Sequence, residues 1–420
     1  MTSEGSSGSF APDPGAADPG DTVLGTPDRR PPFGLIVAIT VTGIMGNTLI
    51  TPVAPDIVAD FGVGSTGLGF VLGAATAPGI LLAPVIGVLA DRFGRRELLL
   101  PCLMLFGVGG GLAAFAPSFG VLIGLRVVQG LGSAGLINLA VVLIGDNWDG
   151  AERAKIIGRN AATLTIALAV LPPIGGMLGD VGGWRYSFVP YWIALGTAFF
   201  VWRILPAGTR GDRTIGEQLR ELGPSLRLLP VVGSLVVGFV LFVIIFGLVL
   251  TVLPAYLAAD FGASASTRGL VLGFPAITST VVAFNLGRLR KRFGGRMLVT
   301  IGCVGVGASM FVFASAPTFA LLLLAPPLYG IGEGMLIPTL QDLVSGAAPT
   351  ASRGSVVAIW VSVARLGQTI GPIAAGFGLE HTTPSVMFAA GGTAAVLLAA
   401  AVRFVRLGGA NAIAGAHPSA

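Results

Sequence analysis

The sequence predicts an all-α integral membrane protein whose twelve transmembrane helices form two pseudo-symmetric six-helix halves. Three observations carry that prediction. Of the 420 residues, 53% are hydrophobic and only 11% are charged, against about 25% charged in an ordinary soluble domain. Apolar stretches of about 20 residues, enough to cross a bilayer, recur twelve times along the chain. The second half also repeats the first at a constant offset of 200 residues.

Residues 1–32 are rich in Ser, Gly, Pro, Asp and Ala and have little to bury, so a disordered cytoplasmic tail is expected, with no cleaved signal peptide. Apolar spans follow at about 34–58, 66–90, 97–116, 119–145, 156–179 and 186–204, making an N-terminal half over 33–204. A basic connector, 205–229, separates it from a C-terminal half over 230–405, with spans at about 230–258, 267–290, 297–315, 319–345, 354–379 and 384–405. Residues 406–420 form a second cytoplasmic tail. Within the connector, Thr214-Ile215-Gly216-Glu217 reads either as the capping box of a surface helix or as one turn in a solvated linker.

Loop charge orients the bundle. Of 25 Lys and Arg, 21 fall in the tails and loops on the side of the termini. Arg185 and Arg268 are on the opposite side, and Arg126 and Arg365 lie inside spans. The positive-inside rule then places both termini in the cytoplasm of a multi-pass plasma-membrane protein. The formal net charge of +5 reflects these loops and not nucleic-acid binding. Two cysteines, Cys102 and Cys303, sit in apolar spans and offer neither a disulfide framework nor a metal site.

The repeat is dense. Ala59-Asp60-Phe61-Gly62 recurs at 259–262, Val71-Leu72-Gly73 at 271–273, Arg92-Phe93-Gly94 at 292–294 and Ala116-Pro117 at 316–317. Gly130, Gly132, Arg153 and Pro172 recur at 330, 332, 353 and 372. A duplicated six-helix unit accounts for this spacing.

The turn between the second and third spans reads Gly87-Val88-Leu89-Ala90-Asp91-Arg92-Phe93-Gly94-Arg95-Arg96. This order resembles motif A of the major facilitator superfamily, and the resemblance extends over residues 33 to about 405. It implies a secondary transporter with its substrate site between two halves. Gly87, Asp91, Arg92, Gly94, Arg95 and Arg96 then become gating residues. The second copy carries Lys291 in place of Asp91.

Leu122-x-x-x-Arg126-x-x-Gln129-Gly130-x-Gly132-x-Ala134 resembles the superfamily's motif B. An arginine within a span faces a wet cavity or a partner, so Arg126 and Gln129 are candidates for the central cavity. The alternative is a structural arginine tied to helix carbonyls. Gly130 to Gly135 also satisfies G-x-G-x-x-G, but a dinucleotide site needs a preceding strand, so helix packing is the expected role. There is no Walker motif.

Leu171-Pro172-Pro173-Ile174-Gly175-Gly176 resembles motif C, the antiporter motif, with Leu171 in place of its first glycine. Gly367-x-x-x-Gly371-Pro372-x-x-Ala375-Gly376 is its second copy. Pro172, Gly175, Gly176, Gly371 and Pro372 are therefore candidate hinges, either in rocking helices or as plain kinks.

Glu333 lies about 14 residues, ~21 Å, from the outer end of its span. Its counterpart in the first half is Ser133, so the repeat does not explain it. Burial and a nearby cation pull a carboxyl's proton affinity in opposite directions, which can poise it to load and release a proton. Arg365 stands at similar depth, and Glu333 and Arg365 are the candidate proton-coupling pair; a structural ion pair would look the same in sequence. Gln368 and Asn47 complete the polar cavity candidates. Gly46-Asn47-Thr48-Leu49-Ile50-Thr51-Pro52 resembles the first helix of proton-coupled drug exporters, with neutral residues where several of these carry an acid.

The resemblance implies a non-enzymatic, monomeric carrier, embedded in the lipid bilayer and resembling the twelve-helix drug/proton antiporters. It would export small, mostly apolar compounds by alternating access. Neither cofactor nor metal is expected beyond the proton gradient, and no nucleic-acid partner. The alternatives are an uptake or metabolite carrier of the same fold and a non-transporting membrane sensor.

Overall fold

The protein is described here from a computed structural model covering residues 30–207, 229–347 and 353–404. The connector's Thr214–Glu217 segment and both distal parts of the tails lie outside the described residues. All regular structure within them is helical.

The first helix, α1, runs over Phe33–Thr48 and continues through a 3₁₀ turn, Thr51–Val53, into Ala54–Asp60. α2 has two pieces, Thr66–Gly73 and Pro78–Phe93, and Pro78 opens the second where its missing N–H costs nothing. α3 spans Arg95–Ala113, α4 Phe119–Asn147 and α5 Gly150–Gly182. α6 starts as a 3₁₀ stretch, Trp184–Trp192, and becomes α-helical over Ile193–Ile204. α7 runs Leu229–Val243, widens into a π-helix over Ile244–Val252 and ends with Leu253–Phe261. Next comes one long stretch, Ala265–Ser315, broken by non-helical geometry at Gly294; its two parts are α8 (265–293) and α9 (295–315). α10 comprises Phe319–Leu322 and Ala325–Ala347, α11 is Arg353–His381 and α12 Pro384–Phe404.

Eleven stretches among the described residues are long and apolar enough to span a bilayer. The difference from the expected twelve is the missing gap between α8 and α9. A single residue, Gly294 at φ 75°, replaces a loop there. Gly94 does the same between α2 and α3 at φ 99°, and a side chain at either position would meet the left-handed penalty that glycine escapes. The ends of α1 and α7 match as well, at Gly62 (φ 61°) and Gly262 (φ 58°). The 200-residue repeat is therefore a repeat of backbone geometry and not of composition alone.

Two apolar cores result. In the first half, Ile36, Leu49, Phe106, Leu136, Phe188 and Tyr191 pack together, with Tyr191 edge-on to Phe106 at 5.5 Å. In the second, Val252, Met310, Phe313, Leu336 and Phe388 do so. Cys102 belongs to the first core and Cys303 to the second, both buried and unpaired. Small residues let the helices touch through their backbones, where dispersion and helix–helix contact replace a hydrophobic driving force. Gly130 faces Ala75 O, Gly132 faces Cys102 O and Gly135 faces Ile86, so the G-x-G-x-x-G run is a packing surface.

The face holding the start of α1 and the end of α12 is called terminal below, and the opposite one distal. On the terminal face, Arg95 Nε donates to Asp146 at 2.8 Å and its Nη1 to Ala90 O at 2.9 Å. Arg290 pairs with Asp342 in the second half. Each short turn is thus tied to the terminal end of the fourth helix in its own half.

Candidate functional site

The halves meet along two seams, α2 on α11 and α5 on α8, and glycines set both. A Cβ built on Gly69 would lie 2.5 Å from Pro372 O, and one on Gly269 2.4 Å from Pro172 O. Gly73 and Gly273 face Thr369 O and Ala169 O at 3.1 and 2.4 Å. Gly376 and Gly176 face Ser65 O and Ala265 O at 2.7 and 2.1 Å. Each pair of contacts is related by the 200-residue offset. Of the candidate hinge residues, Pro172, Gly176 and Pro372 stand where the halves press backbone on backbone. Gly175 turns inward and meets Leu49 O of α1, while Gly371 meets Val243 O and Gly247 N at the π-helical part of α7.

Polar groups close the distal ends of both seams. Asp180, ending α5, accepts from Ala265 N (2.9 Å), Ser266 N (3.0 Å) and the Ser266 hydroxyl, all at the start of α8. Glu380, ending α11, accepts from Thr66 N at the start of α2 at 3.0 Å. A carboxylate at a helix N-terminus satisfies unpaired amides and the positive end of the helix dipole. Asp56 of α1 pairs across the halves with Arg268 of α8 at 2.5 Å. Sequence reasoning missed these three contacts. The signals were present: Arg268 is one of two basic residues in the distal loops, and Asp180/Glu380 with Ser266/Thr66 keep the repeat offset.

Deeper, Thr76 Oγ1 bonds Thr369 Oγ1 (2.9 Å) and donates to Gln368 O (3.3 Å). The hydrogen bonds that Asp180, Glu380, Asp56 and Thr76 make between the halves lie between the distal rim and this level. The structure is closed on the distal face.

Three ionisable side chains occupy the middle of the bundle, and they differ in how they are held. Arg126 of α4 is completely buried. Its Nε donates to Val71 O (3.0 Å), and Nη1 to Gly46 O (2.8 Å) and Gln129 Oε1 (2.6 Å), while Nη2 bonds Asn47 Oδ1. Asn47 Nδ2 reaches Leu72 O at 3.3 Å, and the Tyr191 hydroxyl donates to the same Gly46 O at 2.9 Å. Arg126, Asn47 and Gln129 thus form an enclosed network clamping α1, α2 and α4, with Tyr191 of α6. In this geometry the arginine is tied to helix carbonyls. Gln129 Nε2 is left as a buried donor without a partner.

Glu333 of α10 and Arg365 of α11 are held much more loosely. The ion pair expected between them is not formed. Arg365 Nη1 donates to Gln368 Oε1 at 3.4 Å, one turn along its own helix, and its side chain lies across Gly79 of α2. Glu333 stands one turn from Tyr329 on the same face of α10. Both side chains are only partly buried although they sit at mid-bundle, and neither has polar atoms among the buried atoms that lack partners. Neither is therefore sealed in the packed core, and Arg365, lying across Gly79, faces the opposite half.

Among the gating candidates, Arg92 stacks over Phe93 at 5.5 Å, as Arg292 does over Phe293 at 5.4 Å. Gly94 makes the turn, Arg95 holds Asp146, and Arg96 is half-buried at the start of α3. Gly87 and the Asp91 side chain lie outside what is described.

Comparison with known proteins agrees with this architecture. The Major Facilitator Superfamily profile matches residues 36–254 and again 235–415, about once per half. The bacillibactin exporter of Bacillus subtilis (strain 168) is 27% identical over 349 residues, covering 78% of this chain and 85% of the exporter. The class B tetracycline resistance protein of Escherichia coli is 25% identical over 360 residues, covering 83% and 89%. Among solved structures, a bacterial homolog of the human lysosomal transporter Spinster, in an inward-facing and unoccupied conformation, superposes with a TM-score of 0.73 at 19% identity, over 90% of this chain and 97% of that one. With two matches that together span nearly the whole bundle, this chain belongs to the major facilitator superfamily and is a multi-pass membrane transporter.

Proposed function

We propose that the protein exports small, mostly apolar compounds from the cytoplasm by alternating access, as a proton antiporter, with both termini cytoplasmic. The loop charge bias supports the orientation, which makes the closed distal face extracellular and the conformation described here inward-facing. The relatives named as an exporter and as a resistance protein support the direction.

The observation that carries the coupling is Glu333: a carboxylate at mid-membrane, only partly buried and without an ion pair among the described residues. A charge at this depth is costly in either conformation unless it is neutralised. A proton taken from one side and returned on the other neutralises it during the crossing, and competition with bound substrate couples the two movements. Asn47, Arg126 and Gln129 act in this scheme mainly by fixing α1, α2 and α4 as one wall of the cavity.

The test is Glu333→Gln in proteoliposomes with matched protein amounts. The variant is expected to keep downhill exchange and to lose concentrative transport. Wild-type concentrative transport by the variant would remove Glu333 from the coupling step. Inverted vesicles with and without a pH gradient decide the direction, since accumulation inside them upon acidifying the lumen is export.

A further inference from the structure

Arg365 is a permanent cation in a place where cations need a partner. Its guanidinium does not deprotonate in proteins, and at about 12 residues, ~18 Å, from the start of α11 it is at mid-membrane depth. Among the described residues no carboxylate pairs with it, and its hydrogen bond is the 3.4 Å contact to the neutral amide oxygen of Gln368. Arg126, inside the span of α4, has three neighbouring oxygens within 3.0 Å and a further bond to Asn47. One arginine is a finished structural element, and the other has donors to offer.

The surroundings hold that second arginine ready. Gly79 of α2 leaves room for its side chain, since a Cβ there would come within 3.1 Å of Cδ. Thr76, bonded to Gln368 O and Thr369 Oγ1, fixes the α11 backbone beside it. The repeat does not demand either residue: Thr165 and Ser279 stand at the equivalent positions. Glu333, the candidate counterion at similar depth, forms no ion pair with it. A fixed positive charge therefore faces the cavity.

Resting on the export reading above, we propose that Arg365 and Gln368 form a recognition site for an acidic group. The exported compound is then an apolar molecule carrying a carboxylate or a similarly shaped organic anion. The planar guanidinium fork matches a carboxylate with two parallel N–H···O bonds, and the Gln368 amide supplies a further donor. The apolar helix faces around it receive the rest of the molecule.

The probe is 2-naphthoate, compared with its neutral isostere 2-naphthamide and with 2-naphthylmethylammonium, each titrated against the full-length protein in detergent by thermal shift. Naphthoate is expected to stabilise the wild type at about 10- to 100-fold lower concentration than naphthamide, the ratio for charge-assisted bonds. The ammonium compound is expected to be weakest. Arg365→Gln should remove the preference while leaving naphthamide unaffected, and Arg365→Lys should keep part of it. Should Arg365→Gln fail to fold, Gly79→Val, which crowds the Arg365 side chain and leaves the residue itself intact, should give the same loss. Equal or better binding of naphthamide or the ammonium compound, an undiminished preference in the variants, or no stabilisation by naphthoate at all would overturn the assignment. The two readings fail separately. Proton-driven export of a neutral compound without naphthoate binding would sink only the acid site, and naphthoate binding without proton-driven transport would sink only the coupling.

Discussion

The α5–α8 seam and the α2–α11 seam are the same object built twice, yet they are fastened differently. Their backbone contacts correspond one for one, glycine against carbonyl. Their distal ends do not. Asp180 engages two amides and a hydroxyl at the head of α8, with the Asp56–Arg268 pair beside it. Glu380 engages one amide and the hydroxyl of the same residue, Thr66, at the head of α2, with no ion pair beside it among the described residues. Duplication has preserved the contacts that need no side chain, because any Cβ there would collide with backbone. The side-chain contacts were free to diverge, and the divergence concentrates charge on one seam. When the distal face opens, the α2–α11 seam should part first and the α5–α8 seam last.

The strongest perturbation should come from Asp56→Asn. It strands Arg268, which is 3% exposed and whose Nε and Nη1 already lack partners. Breaking a buried pair costs about 3–5 kcal/mol, and the half-exposed Asp56 brings the expectation down to roughly 1–3 kcal/mol. Arg268→Leu, which copies the residue at position 68, removes the stranded charge and should cost less. Thermal unfolding in detergent compares them, and equal losses would contradict the stranded-charge explanation.

Next in size are the glycines. Gly176→Ala would put a Cβ 2.1 Å from Ala265 O, and Gly376→Ala one 2.7 Å from Ser65 O. Overpacking of about 1–3 kcal/mol should drive the seams apart, more so for Gly176. A cysteine replacing Val53, which is fully buried beneath the distal rim, reports this through its labelling by an impermeant thiol reagent from the distal face. Faster labelling in the Gly376 variant would contradict this order of the two glycine contacts.

The smallest effects belong to the capping carboxylates. Asp180→Asn should raise Val53→Cys labelling about two- to fivefold, the range for a charge at a helix N-terminus. Glu380→Gln should raise it by less and leave the melting temperature unchanged. Matching responses would mean that the two seams are fastened equally after all.

Much of this fold was legible in advance because bilayer thickness and helix rise set the span lengths, and because the duplication shows in residues such as Gly94 and Gly294. The closed polar network around Arg126 was not. Its partners include the carbonyls of Gly46 and Val71, and a carbonyl has no residue-type signature. The Glu333–Arg365 pairing went wrong for a related reason. Equal depth on neighbouring helices says nothing about which way each side chain turns, and the space at Gly79 draws Arg365 toward α2. The motif picked out Gly175 and Gly176 together, but only the geometry shows that Gly175 serves its own half whereas Gly176 serves the interface.

The two cysteines have a consequence for redox chemistry. Cys102 is 6% exposed and Cys303 2%, each enclosed in the core of its own half, and the chain has no others. Two thiols so separated cannot meet as a disulfide, and neither is presented to an oxidant or to a second copy of the chain. An oxidising environment has no exposed thiol to act on while the bundle stays folded, so loss of transport under a thiol-specific reagent would report unfolding and not modification of a working carrier.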